Sequence, residues 1–189
     1  MEAFENRLNG IWNRITSKEL LQNKGLGKEI GIYIFDYPPE KELQMREHIS
    51  HLIKRIQKER SDIKAVHVDL FELIINYLEK RGLLDKTMAY EKNKGTDGLL
   101  KVLSAPLSPQ NLSKEFVETA RPEDNDLIIV SGVGKTWPLL RSHNLLNNLQ
   151  PLIGQTPLVL FYPGNYSGHD LRLFSMMNEN NYYRAFRLL

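Results

Sequence analysis

Short runs of β-branched and aromatic residues alternate with amphipathic segments of helical periodicity along most of this chain. The strand-like runs cover residues 30–35, 63–68, 126–130 and 157–161. Segments with apolar residues at helical spacing follow the first three runs, from residue 38 to about 60, from 70 to 82 and from 138 to about 149. Parallel strands need long crossover connections, which are usually helices, so this alternation predicts an α/β fold.

Residues 182–186 have the aromatic content of a last strand, which brings the predicted sheet to five strands. The handedness rule for crossovers places helices on both faces of such a sheet. We therefore expect an open, mostly parallel five-stranded sheet of Rossmann-like or P-loop-like topology. Further helices are predicted at about 2–22 and 171–177. Residues 1–189 should form a single domain with a helical insertion at about 83–121, a stretch longer than a crossover requires.

The composition excludes several classes of protein. Hydrophobic residues at 41% and charged residues at 25% are ordinary globular values, and a net charge of +2 gives no strong footprint for nucleic acid. The absence of cysteine excludes disulfides, thiolate metal sites and cysteine nucleophiles. The start of the chain is acidic where a secretory signal would be basic, and the apolar runs are strand-sized. We expect a cytoplasmic protein with no membrane contact.

The predicted topology indicates where a functional site should lie. Loops at the carboxyl ends of parallel strands gather along one edge of the sheet, where ligands usually bind. Aromatic residues in such loops, here Tyr37, Trp137 and Tyr166, are common anchors at protein interfaces. We expect this edge to be a functional or partner-binding surface formed by Asp36, Tyr37, Asp69, Ser131, Gly132, Gly134, Trp137, Arg141, His143, Pro163, Gly164 and Tyr166.

The sequence Gly132-Val133-Gly134-Lys135-Thr136 resembles the end of an ATP-binding phosphate loop. A GxxxxGK[ST] loop needs a glycine five positions before its second glycine, and that position is Ile129, inside a predicted strand. Pro138 is predicted to begin the next helix, which leaves the lysine and threonine before it. The pattern favours a tight strand-to-helix turn without a functional phosphate loop. Binding of a nucleotide or another anion at 130–138 is the alternative.

Arg141 follows this turn on the predicted helix. It could reach back to an anion, pair with a carboxylate such as Asp36, or tie the helix to a neighbouring loop. Asp36 and Asp69 each end a strand, so each could cap a helix, or both could share a metal ion if their strands are adjacent. No third ligand accompanies His48 and His51 on their helix face.

No nucleophile elbow of the G-x-S-x-G type is present, and no catalytic constellation is complete. We therefore expect no enzymatic activity, no cofactor and no metal. One basic stretch, Lys54 to Arg60, lies at the end of a helix and is interrupted by Glu59. Contact with DNA or RNA through this stretch is a second alternative.

Ordered blocks of sequence in the C-terminal half resemble the BrxB family of bacteriophage exclusion (BREX) systems. The early Phe35-Asp36-Tyr37-Pro38 and the chain length also fit that family. The blocks are Ser131-Gly132-Val133-Gly134, residues 138–150, residues 157–166, Leu173-Phe174 and residues 181–186.

The resemblance implies a cytoplasmic component of a multi-gene system that blocks phage and marks host DNA by methylation. Proteins of this family have no assigned catalytic activity, so no catalytic residues carry over. They are thought to act by contacting other BREX proteins, notably the alkaline-phosphatase-like PglZ protein. The resemblance therefore implies a non-enzymatic interaction or adaptor subunit.

Overall fold

The structure is a computed structural model that describes residues 4–22, 31–179 and 185–189. Within those ranges the helices are α1 (Phe4–Ile15), α2 (Lys18–Leu21), α3 (Glu42–Glu59), α4 (Leu70–Lys80), α5 (Leu84–Leu103), α6 (Pro109–Ala120), α7 (Val133–Thr136) and α8 (Ser142–Leu149). The strands are β1 (Ile32–Tyr37), β2 (Ala65–Asp69), β3 (Leu127–Ser131), β4 (Leu158–Tyr166), β5 (Leu171–Leu173), β6 (Met177–Glu179) and β7 (Phe186–Arg187).

Five strands form a parallel sheet in the order β2-β3-β4-β1-β7, which confirms the predicted α/β fold with an open, mostly parallel sheet. The short strands β5 and β6 extend the far end of β4 as an antiparallel pair. At the edge of the sheet opposite β2, β7 pairs with β1 through Phe186 and Arg187. Residues 182–184 of the predicted last strand lie outside the described residues.

Alternate residues of each central strand face opposite layers of helices. In β3, Ile128 and Val130 lie in the apolar core beneath α4, α6 and α8, whereas Leu127 and Ile129 lie in the core beneath α1 and α3. The period of two along a strand explains this division, and it leaves both faces of the sheet apolar. Helices therefore cover both faces, as predicted.

Residues 84–103 and 109–120 form two helices between β2 and β3. Pro109 occupies the first turn of α6, and the Ser108 side chain accepts a hydrogen bond from the Asn111 N–H, which caps that helix. Leu112 and Phe116 of α6 are buried in the core beneath α4 and α8. That residues 1–189 form one domain with these helices as an insertion stays a prediction.

Three local predictions were wrong. The helix predicted from Pro138 begins at Ser142, because Trp137 is extended before the proline and Arg141 is also extended. Residues 171–177, predicted as a helix, contain β5 and the start of β6. Residues 162–166, predicted as a loop, continue β4.

The continuation of β4 depends on its proline and glycine. Pro163 occupies the final pair of the β1–β4 ladder, opposite Tyr37, and its carbonyl oxygen accepts a hydrogen bond from the Phe174 N–H. At Gly164 a Cβ atom would lie 2.1 Å from the Arg172 carbonyl oxygen. Glycine therefore permits the close approach of β5 at this point.

Within the described ranges, no helix combines the length and the low polarity needed to cross a membrane.

We expect Phe116→Ala to lower the free energy of unfolding by about 3–5 kcal/mol, because it leaves a cavity in the core beneath α6. Phe116 has 0% of its surface exposed. Val102→Ala is the control, because the Val102 side chain on α5 is 43% exposed. This substitution should change the free energy of unfolding by less than about 0.5 kcal/mol. Urea denaturation measures both values. Equal effects of the two substitutions would show that α6 does not pack as described.

Candidate functional site

The glycine turn after β3 is built against the end of β2. Asp69 and Ser131 are paired in the parallel register, so the two strands end side by side. Gly132 then adopts a left-handed conformation with φ +81°, and a Cβ atom there would lie 2.6 Å from Asp69 Oδ1. Only glycine satisfies both the backbone angle and the contact without strain.

Asp69 caps α4 and also pairs with the lysine of the turn. Its Oδ1 accepts hydrogen bonds from the backbone N–H groups of Phe71 and Glu72 at 3.0 and 3.2 Å, which confirms helix capping. Its Oδ2 accepts a hydrogen bond from Lys135 Nζ. Burial raises the pKa of Asp69, but the hydrogen bonds from Lys135, Glu72 and Phe71 outweigh burial and hold this pKa below its ordinary value.

The groups that a phosphate loop would offer to a nucleotide have protein partners here. Lys135 donates to Asp69, and the buried Thr136 hydroxyl donates to the Val133 carbonyl oxygen at 2.8 Å. The helix that follows Gly132 has four residues and ends at Thr136. The segment is therefore a tight, internally bonded turn between β3 and α8.

Asp36 is the second-last residue of β1, close to the predicted strand end, and is buried. Its Oδ1 accepts from Arg7 Nη2 at 2.7 Å and lies 3.7 Å from Arg187 Nη1. Its Oδ2 accepts from the Tyr166 N–H at 3.0 Å. The strand order places β3 and β4 between Asp36 and Asp69, a separation of about 14 Å at the usual strand spacing, too far to share a metal ion.

A pocket of about 200 Å³ opens at the carboxyl edge of the sheet. The chain leaves β1 for α3 on one face of the sheet and leaves β3 for α8 on the other, which is the position where open α/β sheets form ligand crevices. The pocket is lined by Pro39, Glu42, Arg46, Gly134, Lys135, Pro163 and Phe174.

The polar side of this pocket is fixed by a short chain of hydrogen bonds. The Tyr37 hydroxyl donates to Glu42 Oε2 at 2.5 Å, and Arg46 Nε donates to Glu42 Oε1 at 2.8 Å. Burial, together with the neighbouring Glu42 carboxylate, raises the pKa of Tyr37, so its hydroxyl stays protonated and keeps donating. The terminal amino groups of Arg46 form no hydrogen bond with the described residues, so they could bind a further acceptor.

The apolar side of the pocket depends on Gly134. A Cβ atom at this position would lie 3.1 Å from Phe174 Cε1 and 3.2 Å from Pro163 Cγ. The glycine therefore lets the Phe174 ring close against the turn. Phe174 itself has φ +54° in the connection between β5 and β6, which is an uncommon conformation for an aromatic residue.

The predicted edge residues divide into buried and exposed sets. Tyr37 and Tyr166 are buried, so the prediction that they serve as surface anchors is wrong, whereas Trp137 is 42% exposed.

Arg141 is exposed and makes no side-chain ion pair within the described residues. Three of the predicted loop residues, Pro163, Gly164 and Tyr166, lie within β4, and Ser131 and His143 are buried. Gly134 and Pro163 line the pocket.

Several edge residues were missed by sequence reasoning. Leu43 and Met176 are exposed by 72% and 80%, and Phe71 is also exposed. Leu43 and Phe71 lie in the first turns of α3 and α4, the α-helices that follow β1 and β2, where amphipathic periodicity alone gives no reason to expect an apolar surface residue. The ion pair between Glu42 and Arg46 could have been predicted from their i, i+4 spacing on one helix.

The structure adds little support for a nucleic-acid site at the basic stretch or for a metal site. In the basic stretch at the end of α3, Arg55 pairs with Glu59 at 2.9 Å and Arg60 pairs with Asp62 at 2.7 Å. These pairs reduce the positive charge that the stretch could present to nucleic acid. No group of three or more histidine or acidic side chains in the described ranges is arranged to hold a metal ion.

We expect Gly132→Ala to destabilise the protein by about 1–3 kcal/mol more than Gly154→Ala, measured by urea denaturation. Both glycines have a positive φ, but a Cβ at Gly154 would meet nothing within 4 Å, whereas at Gly132 it would displace the Asp69 carboxylate. Because both substitutions place alanine at a positive φ, the difference between them measures the effect of the contact with Asp69. Equal destabilisation would contradict the packing of Asp69 against the turn.

Asp69→Asn should lower the free energy of unfolding by about 1 kcal/mol at neutral pH, because asparagine can cap α4 but cannot pair with Lys135. The folded-state pKa of Asp69 is depressed, so the stability that its charge contributes is present above the unfolded-state pKa and is lost as pH falls through the folded-state value. The difference between variant and wild type should therefore shrink below about pH 4. Asp124→Asn, at an exposed aspartate, is the control; a pH-independent difference would argue against the ion pair.

Comparison with known proteins identifies the family. The family model described as "BREX protein BrxB" matches residues 66–188. A BREX protein BrxB of Escherichia coli O9:H4 (strain HS) is 40% identical over 187 residues, covering 99% of this chain and 92% of the relative. A BREX protein BrxB of Bacillus cereus (strain H3081.97) is 40% identical over 192 residues, covering 100% of this chain and 99% of the relative. No solved structure matches the chain. The protein belongs to the BrxB family of BREX proteins.

Proposed function

We propose that this BREX protein is a non-enzymatic interaction subunit of the anti-phage assembly and that it binds the PglZ-like component through the carboxyl edge of its sheet. The observation that carries the proposal is that four exposed apolar side chains lie in the connections at this edge. Leu43, Phe71, Trp137 and Met176 come from four different connections, following β1, β2, β3 and β5.

Such a group is unusual for a surface that faces only water. Contiguous exposed apolar patches on soluble proteins commonly mark protein interfaces, and tryptophan is enriched among the residues that dominate binding energy. The pocket beside the group is lined by Phe174 and Pro163 and has Arg46 and Lys135 at its polar side. An apolar centre with charged groups around it is the usual composition of a protein interface.

The same edge gives little support to catalysis or to nucleotide binding. Lys135 and Thr136 already hydrogen-bond to Asp69 and Val133, so a nucleotide would have to displace these contacts. The carboxylates of Asp36 and Asp69 are both engaged by basic side chains. These pairings favour an interaction subunit over an enzyme.

We expect Trp137→Ala to weaken binding to the purified PglZ-like protein by about 30-fold, which corresponds to about 2 kcal/mol, because truncation of a central aromatic anchor removes buried apolar contact. Leu152→Ala is the matched control, since Leu152 is exposed to a similar degree but lies outside the carboxyl edge. Calorimetry on the wild type and both variants measures the effect.

Two outcomes would overturn the proposal. No complex with the wild-type protein at micromolar concentration, together with intact phage defence after deletion of the gene, would exclude the interaction role. Binding of ATP that is lost in Lys135→Ala would instead support the nucleotide-binding alternative.

A further inference from the structure

A groove separates α1 from α3 on the outer side of those helices, apart from the carboxyl-edge pocket. Its volume is about 180 Å³. None of the described side chains that line it is acidic, and five of them carry nitrogen atoms that can donate hydrogen bonds. The lining residues are Leu8, Asn9, Trp12, His48, His51, Leu52 and Arg55.

His48 supplies the first indication that the groove holds a ligand. Its Nε2 atom is buried and has no hydrogen-bond partner among the described residues. A buried polar nitrogen without a partner carries a free-energy cost, so native proteins rarely leave one without a reason. His48 lines the groove, so an oxygen acceptor that reaches this nitrogen from the groove would remove this cost.

Arg55 supplies the second indication. Positions 48, 51 and 55 are three and four residues apart, so the two imidazoles and the guanidinium lie along one side of α3. The guanidinium stacks 3.9 Å above the Trp12 ring, and its Nε donates to Glu59. These contacts orient Arg55, and its terminal amino groups have no hydrogen-bond partner in residues 4–22, 31–179 and 185–189.

We propose that the α1–α3 groove binds a single carboxylate side chain from an acidic segment of a partner protein. His48 and His51 donate hydrogen bonds to the carboxylate, and a terminal amino group of Arg55 donates a further one while Nε stays paired with Glu59. Trp12, Leu8 and Leu52 contact the aliphatic part of the bound residue. This surface is separate from the carboxyl edge, so it would give the protein a second contact within an assembly.

The charges around the groove favour a lone carboxylate over nucleic acid. Glu5 on α1 is close enough to interact electrostatically with His48, Glu47 is exposed beside it, and Glu59 is held by Arg55. A continuous phosphate backbone would approach all three carboxylates and be repelled. One carboxylate carries a single negative charge, so it meets less repulsion from these groups than a chain of phosphates does.

Binding should also be coupled to protonation. Burial lowers the pKa of His48, the neighbouring His51 lowers it further, and Glu5 opposes both, so the ring is largely neutral at neutral pH. A bound carboxylate favours the imidazolium form, so the complex takes up a proton. Affinity should therefore rise as the pH falls from about 8 to about 6.

The test uses the full chain and two short peptides, acetyl-Leu-Glu-Leu-amide and its neutral match acetyl-Leu-Gln-Leu-amide. Long-range proton–nitrogen NMR spectra report the imidazole nitrogens directly. We expect the acidic peptide to shift the His48 and His51 signals, with binding about fivefold or more tighter near pH 6 than near pH 8. The neutral peptide should leave both signals in place.

Variants separate the groove from general charge effects. His48→Leu should abolish the pH-dependent binding, and His51→Gln, a milder change, should weaken it. His169→Gln, outside the groove, should leave it intact. Trp137→Ala should also leave it intact, which distinguishes failure of this proposal from failure of the carboxyl-edge interface. Thermal melting checks that each variant is folded.

Three results would overturn the proposal: equal shifts with the neutral peptide, unchanged binding in both folded His48→Leu and His51→Gln, or shifts induced by a twelve-nucleotide oligo-dT at lower concentration than the acidic peptide. The last result would assign the groove to nucleic acid.

Discussion

The buried carboxylate of Asp36 holds together parts of the chain that are far apart in sequence. It is 4% exposed and accepts from Arg7 of α1 and the Tyr166 N–H of β4, with Arg187 of β7 also nearby. Removing one partner from a buried ion pair typically costs about 3–5 kcal/mol, because the remaining charge is left without compensation. Arg7 also lies 4.7 Å over the Phe35 ring, so the first helix is held by packing as well as by charge.

Carboxylates at strand ends are used for structure elsewhere in this sheet. Asp69 caps α4 and binds Lys135, and Glu42 links Tyr37 to Arg46. A site that must exchange protons or hold a metal needs acidic groups that can change partners. Asp36, Asp69 and Glu42 are engaged in this way, and the carboxyl edge also carries exposed apolar side chains.

The parallel sheet was predictable because each strand and helix carries its own periodicity. Arg7 as a partner for Asp36 was not, since the two residues are 29 positions apart and no local pattern links them. Local signals also failed where tertiary contacts override them. The Pro163-Gly164 pair is typical of a loop, yet Gly164 admits β5 and the strand continues. At the carboxyl edge, the exposure of Trp137 could be predicted from its position after a strand. The burial of Tyr166 could not be predicted locally, because it depends on the packing of the whole sheet.

The strand order sets the sequence of events as the chain leaves the ribosome. β1 comes first among the described strands, and its two neighbours in the sheet, β4 and β7, are synthesised only after β2 and β3. The middle of the sheet cannot form until β4, which begins at Leu158, has left the ribosome and can pair with β1 and β3. Until then β1 exposes both edges and an apolar face, and such unpaired strands are prone to association. A chain of this topology cannot complete its core before β4 and β7 have been synthesised.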